Sequence, residues 1–126
     1  MASNHNKIFY LNIEEISPSQ LYLSEQKLAE LKDFIPSEKE ALPVRKFGNK
    51  IALTDGHHRA YLFYRSGVKK LPVYWDCEDL DWSIYDICLG WCYDEHVHQI
   101  SDFSKRILTA EDYQKLWHDR CEELYN

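Results

Sequence analysis

The passage from strand to helix around residue 56 constrains this chain more than any other stretch. Lys50-Ile51-Ala52-Leu53 is a short apolar run that reads as a strand, and Ala60-Tyr61-Leu62-Phe63-Tyr64 repeats at helical spacing. Thr54-Asp55-Gly56-His57-His58-Arg59-Ala60 join them. The backbone must therefore turn within a few residues, and Gly56 supplies the conformational freedom for it. A helix that starts this way leaves its first N–H groups without partners. Free donors and the positive end of the helix dipole coincide there, so the position attracts anions. A carboxylate, two imidazoles and a guanidinium stand between Asp55 and Arg59, more ionisable chemistry than a plain turn requires. The pattern points to a phosphate-handling site without naming a reaction.

Around this junction the remaining elements are short. Ile8–Ile13 reads as a first strand and Ile16-Ser17-Pro18 as a turn. Ser24 is placed to cap a helix in which Leu28, Leu31 and Ile35 recur at helical spacing until Pro36 ends it. Pro43–Phe47 and Lys50–Thr54 read as strands joined by a Gly48-Asn49 hairpin turn. After the motif, Ala60, Phe63, Tyr64 and Gly67 share a helical face. Leu71–Trp75 reads as a strand near a sheet edge, because Pro72 cannot donate to a ladder. The order is β–α–β–β–α–β.

Beyond residue 79 the pattern becomes helical. Asp81 can cap a helix through Trp82, Tyr85, Cys88, Leu89 and Cys92, apolar on nearly all sides and so expected to be buried. Thr109-Ala110-Glu111-Asp112 resembles a capping sequence for a last amphipathic helix carrying Tyr113, Leu116, Trp117 and Leu124. The expected architecture is α+β, a small mixed sheet with short helices plus a C-terminal helical cap. At 126 residues the chain fits one domain, 1–126, with a core at 7–76 and a helical extension at 77–126 packed on it.

The formal charge of −6 argues against direct DNA binding, where a basic stripe is expected, although the sequence leaves room for a local basic patch around Arg65, Lys69 and Lys70. No run of apolar residues is long enough for a membrane span, and Met1–Asn6 is polar and lacks the apolar core of a signal peptide. A cytoplasmic location is the expectation. Cys77, Cys88, Cys92 and Cys121 read as free, mostly buried thiols. A zinc site from Cys88, Cys92, His96 and His98 fits poorly, since Cys88 and His96 would stand about 12 Å apart on one continuous helix.

Each motif residue has two readings. Asp55 either binds Mg²⁺ beside a phosphate or takes a proton from a substrate hydroxyl, or it caps the helix by accepting the N–H of His57 or His58. His57 and His58 diverge by about 100° on a helix, so only one faces a pocket squarely. His58 is the favoured phosphate donor, with a structural hydrogen bond as the alternative for either ring. Arg59 suits phosphate through its planar fork, or else pairs with Asp55 or another carboxylate. The four tryptophans read as core, with Trp75 or Trp91 as candidate base-stacking walls.

Leu53–Ala60, with Pro43-Val44 before it and Leu71-Pro72-Val73 after it, resembles the ParB/sulfiredoxin superfamily over about Lys7 to Asp76. Ile16-Ser17-Pro18 and the helix after it fit the same pattern. The resemblance implies nucleotide binding with the Gly-x-x-Arg core over the phosphates. Sulfiredoxins carry a catalytic cysteine after the motif glycine, where this chain has His57, so that chemistry is not carried over. Chromosome-partitioning ParB proteins have Gly-Glu-Arg-Arg and a later helix-turn-helix domain, whereas here residues 77–126 are acidic and aromatic. The free-serine kinases of the superfamily use Asp-Gly-His-His-Arg, as in Asp55–Arg59. They also use an acidic residue shortly after the first strand, and the comparable place here reads Pro18-Ser19-Gln20, with Glu14 and Glu15 slightly earlier.

The implied activity is that of a small phosphotransferase or nucleotide hydrolase. Asp55 and His58 are its candidate catalytic residues, and Asp55 its candidate metal ligand. Gly56, His57, His58 and Arg59 are the candidates for holding ATP, ADP or CTP with Mg²⁺, and a small-molecule phosphate acceptor is a possible second partner. The alternative is a catalytically inert interaction or DNA-associated module.

Overall fold

Leu42–Phe47 (β4) and Lys50–Leu53 (β5) form the expected antiparallel hairpin, closed by Gly48 at φ 65°. Lys70–Trp75 (β6) runs parallel to β4 on its other side, and Phe9–Asn12 (β1) lies antiparallel to β6. Ile16–Ser17 (β2) adds in parallel to β5, so the order is β1-β6-β4-β5-β2. The computed structural model describes residues 7–125, and the polar stretch Met1–Asn6 lies outside the described residues.

Two sequence expectations change here. Ile16-Ser17 is a strand rather than a turn, because Ile16 is fully buried and aligns with Ile51. Strand β6 is interior rather than near an edge. Pro72 is tolerated because the β4 ladder begins only at Val73, one residue later.

Leu23–Ser24 (β3) leads into Glu25–Glu30 (α1), where the Ser24 hydroxyl accepts the Lys27 N–H at 3.2 Å as expected of a cap. The helix stops short of Ile35, which is 74% exposed. Pro36 disfavours the helical conformation for the residue before it, so Ile35 cannot extend the buried face. His57–Arg65 (α2) buries His57, Ala60, Tyr61 and Phe63 against the sheet, so Tyr61, not Tyr64, joins the core. Fully buried Leu42, Leu53, Leu71 and Phe63 centre that core.

Ser83–Asp94 (α3) begins where Asp81 Oδ1 accepts the Ser83 N–H at 3.1 Å. It buries Cys88 and Cys92 but leaves Ile87 and Tyr93 exposed, so it is not enclosed on all sides. The sequence did not disclose the next segment. A 3-10 turn, Ile100–Lys105, is closed by a Gln99–Asp102 capping box and leads to Ile107–Leu108 (β7), which pairs with β3 as a second small sheet. Thr109 then caps Ala110–Tyr113 (α4), a π-helical turn spans Gln114–His118, and Asp119–Glu122 (α5) follows. Tyr113 and Trp117 turn inward, whereas Leu116, expected on the same face, is exposed. The wider π turn changes which side chains share the inner face. The molecule is α+β: a five-stranded mixed sheet, short helices and a C-terminal helical segment. Among the described residues no helix is long and apolar enough to cross a membrane.

Candidate functional site

Gly56 begins α2 in the left-handed conformation, φ 77°, which few side chains tolerate. A Cβ there would stand 2.6 Å from Leu42 Cδ2 and 2.9 Å from an Arg59 guanidinium nitrogen. Glycine is therefore required both by conformation and by space. Asp55 is exposed, and its Oδ1 accepts the N–H of Gly56 at 2.8 Å instead of reaching His57 or His58. No side chain among the described residues caps the first turn of α2, so its leading N–H groups are open to a ligand.

The two histidines diverge as helical geometry requires. His57 is 4% exposed, and its Nε2 accepts the Ser19 N–H at 2.9 Å. His58 Nε2 accepts the Ser24 N–H at 2.9 Å. Both rings thus tie the β2–β3 segment to the start of α2. Burial pushes His57 down to about 3, with His58 beside it adding to the shift. Burial and then the Lys27 ammonium hold His58 at about 4. Both are neutral near pH 7, and with Nε2 accepting, each ring carries its proton on Nδ1. His58 is therefore a neutral donor, not a cation.

An open cleft of about 410 Å³ lies over this helix start. Asp55, Gly56, His58 and Arg59 line it from the motif, Lys27 and Glu30 from α1, and Tyr113 from α4. Arg59 pairs with Glu40 at 3.5 Å, both half-exposed, and not with Asp55. Lys27 lies 5.4 Å from the Tyr113 ring centroid, and Gln20 Nε2 donates to the Tyr113 hydroxyl at 3.1 Å. Lys27, Glu30 and Tyr113 were not identified from sequence. Ser24 capping α1 could have indicated that Lys27 lies in the first turn, but nothing local shows where α1 packs.

A smaller pocket of about 150 Å³ lies on the other flank of Asp55, with Thr54, Tyr85, Cys88, Trp117 and Cys121 in its wall. Thr54 Oγ1 donates to Asp76 at 2.6 Å, and the Tyr85 hydroxyl donates to the Thr54 carbonyl at 2.9 Å. Burial, with the charges of Asp55 and Asp76, pushes the Tyr85 phenol up to about 12. Asp76, at the end of β6, is a second carboxylate near the motif that the sequence did not single out.

The remaining candidates lie elsewhere. Ser19 and Gln20 come to the motif, but Glu14 lines a separate cleft of about 510 Å³ beyond the far end of α2, with Gly67 and Lys69. Trp75 packs on Phe9, and Trp91 on Trp117 and Arg120, so neither lines the cleft. Arg65 lies against Tyr61, and Lys70 begins β6. Among the described residues no three His, Cys, Asp or Glu side chains form a metal-binding group. Mg²⁺ bound together with phosphates commonly uses only one or two protein carboxylates, and Asp55 is an exposed carboxylate at the cleft.

No family model and no curated protein matches this chain. Among solved structures it is similar to protein Atu1540 from Agrobacterium tumefaciens, at 14% identity and TM-score 0.43, covering 73% of this chain and 50% of that one. A conserved hypothetical protein from Pyrococcus furiosus is similar at 16% identity and TM-score 0.39, covering 60% of this chain and 33% of that one. The C-terminally truncated chromosome-partitioning protein ParB from Caulobacter crescentus, complexed with CTP-γ-S, is similar at 17% identity and TM-score 0.44. That match covers 70% of this chain and 53% of the ParB chain, so the chain spans about half of it or of Atu1540, and less of the Pyrococcus protein.

Proposed function

We propose that this protein binds a nucleotide through its phosphates at the start of α2 and acts as a small phosphotransferase or nucleotide hydrolase. One observation carries the reading: an uncapped helix start, Lys27, His58 and Arg59 border the same 410 Å³ cleft as the exposed Asp55 carboxylate. Its volume suits a small-molecule ligand, and the donor set suits phosphate oxygens. The resemblance of Asp55–Arg59 to the Asp-Gly-His-His-Arg sequence of free-serine kinases supports the same reading.

In this proposal Gly56 brings the main chain close to the phosphates. His57 contributes its backbone N–H while its ring holds the Ser19 loop, and His58 donates from Nδ1. Arg59 and Lys27 supply positive charge. Asp55 accepts the proton of the attacking hydroxyl or water. When bound, Mg²⁺ would neutralise phosphate charge beside Asp55. In the same reading 7–76 are the working core of a single domain 1–126, and the helical extension, of which residues 77–125 are described, packs on it.

Calorimetric titration with ATP, ADP and CTP, with and without Mg²⁺, tests the reading. Saturable binding that weakens by about tenfold or more in Arg59→Ala is the expected result. A folded sample that binds none of the three refutes it.

A further inference from the structure

The 150 Å³ pocket beside Asp55 differs in chemistry from the phosphate cleft. Ile84, Tyr85, Trp117 and Tyr125 give it apolar and aromatic sides, and the thiols of Cys88 and Cys121 contribute to its lining. No lysine or arginine among the described residues lines it. Cys88 is buried and Trp117 is 7% exposed, so those two walls belong to the packed core, whereas Tyr125 is 74% exposed. The pocket and the 410 Å³ cleft have Gln20, Asp55 and His57 in common. Asp55 therefore stands where a ligand in the pocket and a phosphate in the cleft would meet.

The size and lining limit the occupant. A pocket of this volume accommodates a group of about six to eight non-hydrogen atoms, the scale of one aromatic ring. Its polar residues, Ser19, Gln20, Thr54, Asp55 and His57, stand at one side and Ile84, Trp117 and Tyr125 at the other, so an occupant that is polar all round would leave groups unpaired on the apolar side. Asp55 is the carboxylate in the wall. Its Oδ1 already accepts from Gly56, so its free acceptor capacity calls for a hydroxyl donor.

We propose that this pocket binds the phosphate acceptor, and that the acceptor is a compact alcohol with an apolar or aromatic body. The proposal rests on the nucleotide-binding reading of the adjoining cleft. The acceptor oxygen bonds to the terminal phosphorus of a nucleoside triphosphate as the bond from that phosphorus to the bridging oxygen breaks. The hydroxyl proton passes to Asp55, and the nucleoside diphosphate leaves with the bridging electron pair. Trp117 and Tyr125 belong to the C-terminal segment, so that segment helps select the acceptor.

The test uses the full chain without nucleotide. Benzyl alcohol, ethylbenzene and L-serine are titrated while chemical shifts of the backbone amides are followed. The expected result is saturable binding of benzyl alcohol, about threefold or more tighter than ethylbenzene and about tenfold or more tighter than serine. Shifts should centre on Tyr85, Trp117 and Asp55, and Cys121→Phe, which fills the pocket, should abolish them. The titration of the unmodified protein is a readout that does not depend on the variant folding. No saturable binding, equal binding of ethylbenzene, or tighter binding of serine overturns the proposal. Nucleotide calorimetry is measured separately, so failure here is distinguishable from failure of the phosphate reading.

Discussion

Replacing His57 with glutamine gives a quantitative handle on the histidine that anchors the site. The ring is 4% exposed and serves as the acceptor for the Ser19 N–H. Its folded-state pKa is about 3, below the ordinary value of about 6.5 for an unfolded chain. As pH falls through 6.5 the unfolded chain takes up the proton first. The contribution to stability is therefore fully present above pH 6.5 and is lost as pH falls toward the folded value. Between pH 7 and pH 5 the loss is about 1.5 units at 1.36 kcal/mol each, or about 2 kcal/mol. For a domain of this size that lowers Tm by roughly 6–10 °C.

His58 changes in the same direction, but its partial exposure makes its share smaller. Glutamine can place Oε1 where Nε2 accepted, keeping the Ser19 bond while removing the titrating group. Urea unfolding at pH 7 and pH 5, followed by tryptophan fluorescence, should show the protein losing about 2 kcal/mol more than His57→Gln does. Equal losses in the two proteins would refute the reasoning. So would a His57 ring resonance that titrates above pH 5.

Other perturbations probe the same region. Gly56→Ala should destabilise by about 1–3 kcal/mol in urea unfolding, because a Cβ there is strained at φ 77° and stands 2.6 Å from Leu42 Cδ2. Glu40→Gln should change stability by less than about 1 kcal/mol, since the Arg59 pair is half-exposed, yet tighten nucleotide binding in calorimetry by freeing the guanidinium. Lys27→Met should weaken nucleotide binding severalfold and flatten its dependence on salt concentration, with little change in unfolding midpoint. Phe63→Ala, at a position 1% exposed, should cost about 3–5 kcal/mol in chemical denaturation.

The elements governed by nearest neighbours were legible in the chain. The Gly48-Asn49 hairpin, the Ser24 and Thr109 caps and the Gly56 turn depend on local torsions and hydrogen bonds a few residues apart, which residue identities dictate directly. Expectations failed where burial or pairing came from far along the chain. Ile16-Ser17 became a strand through β5, and β6 became interior because its ladder with β4 begins after Pro72. The chain placed a carboxylate, two imidazoles and a guanidinium at one helix start, and that local chemistry was enough to suggest an anion. Only packing at long range turned both histidines into neutral acceptors, joined Arg59 to Glu40, and brought Lys27, Tyr113 and Trp117 beside the motif. Proximity between residues 27, 58 and 113 follows from how apolar surfaces are buried together, and no short window of sequence encodes that.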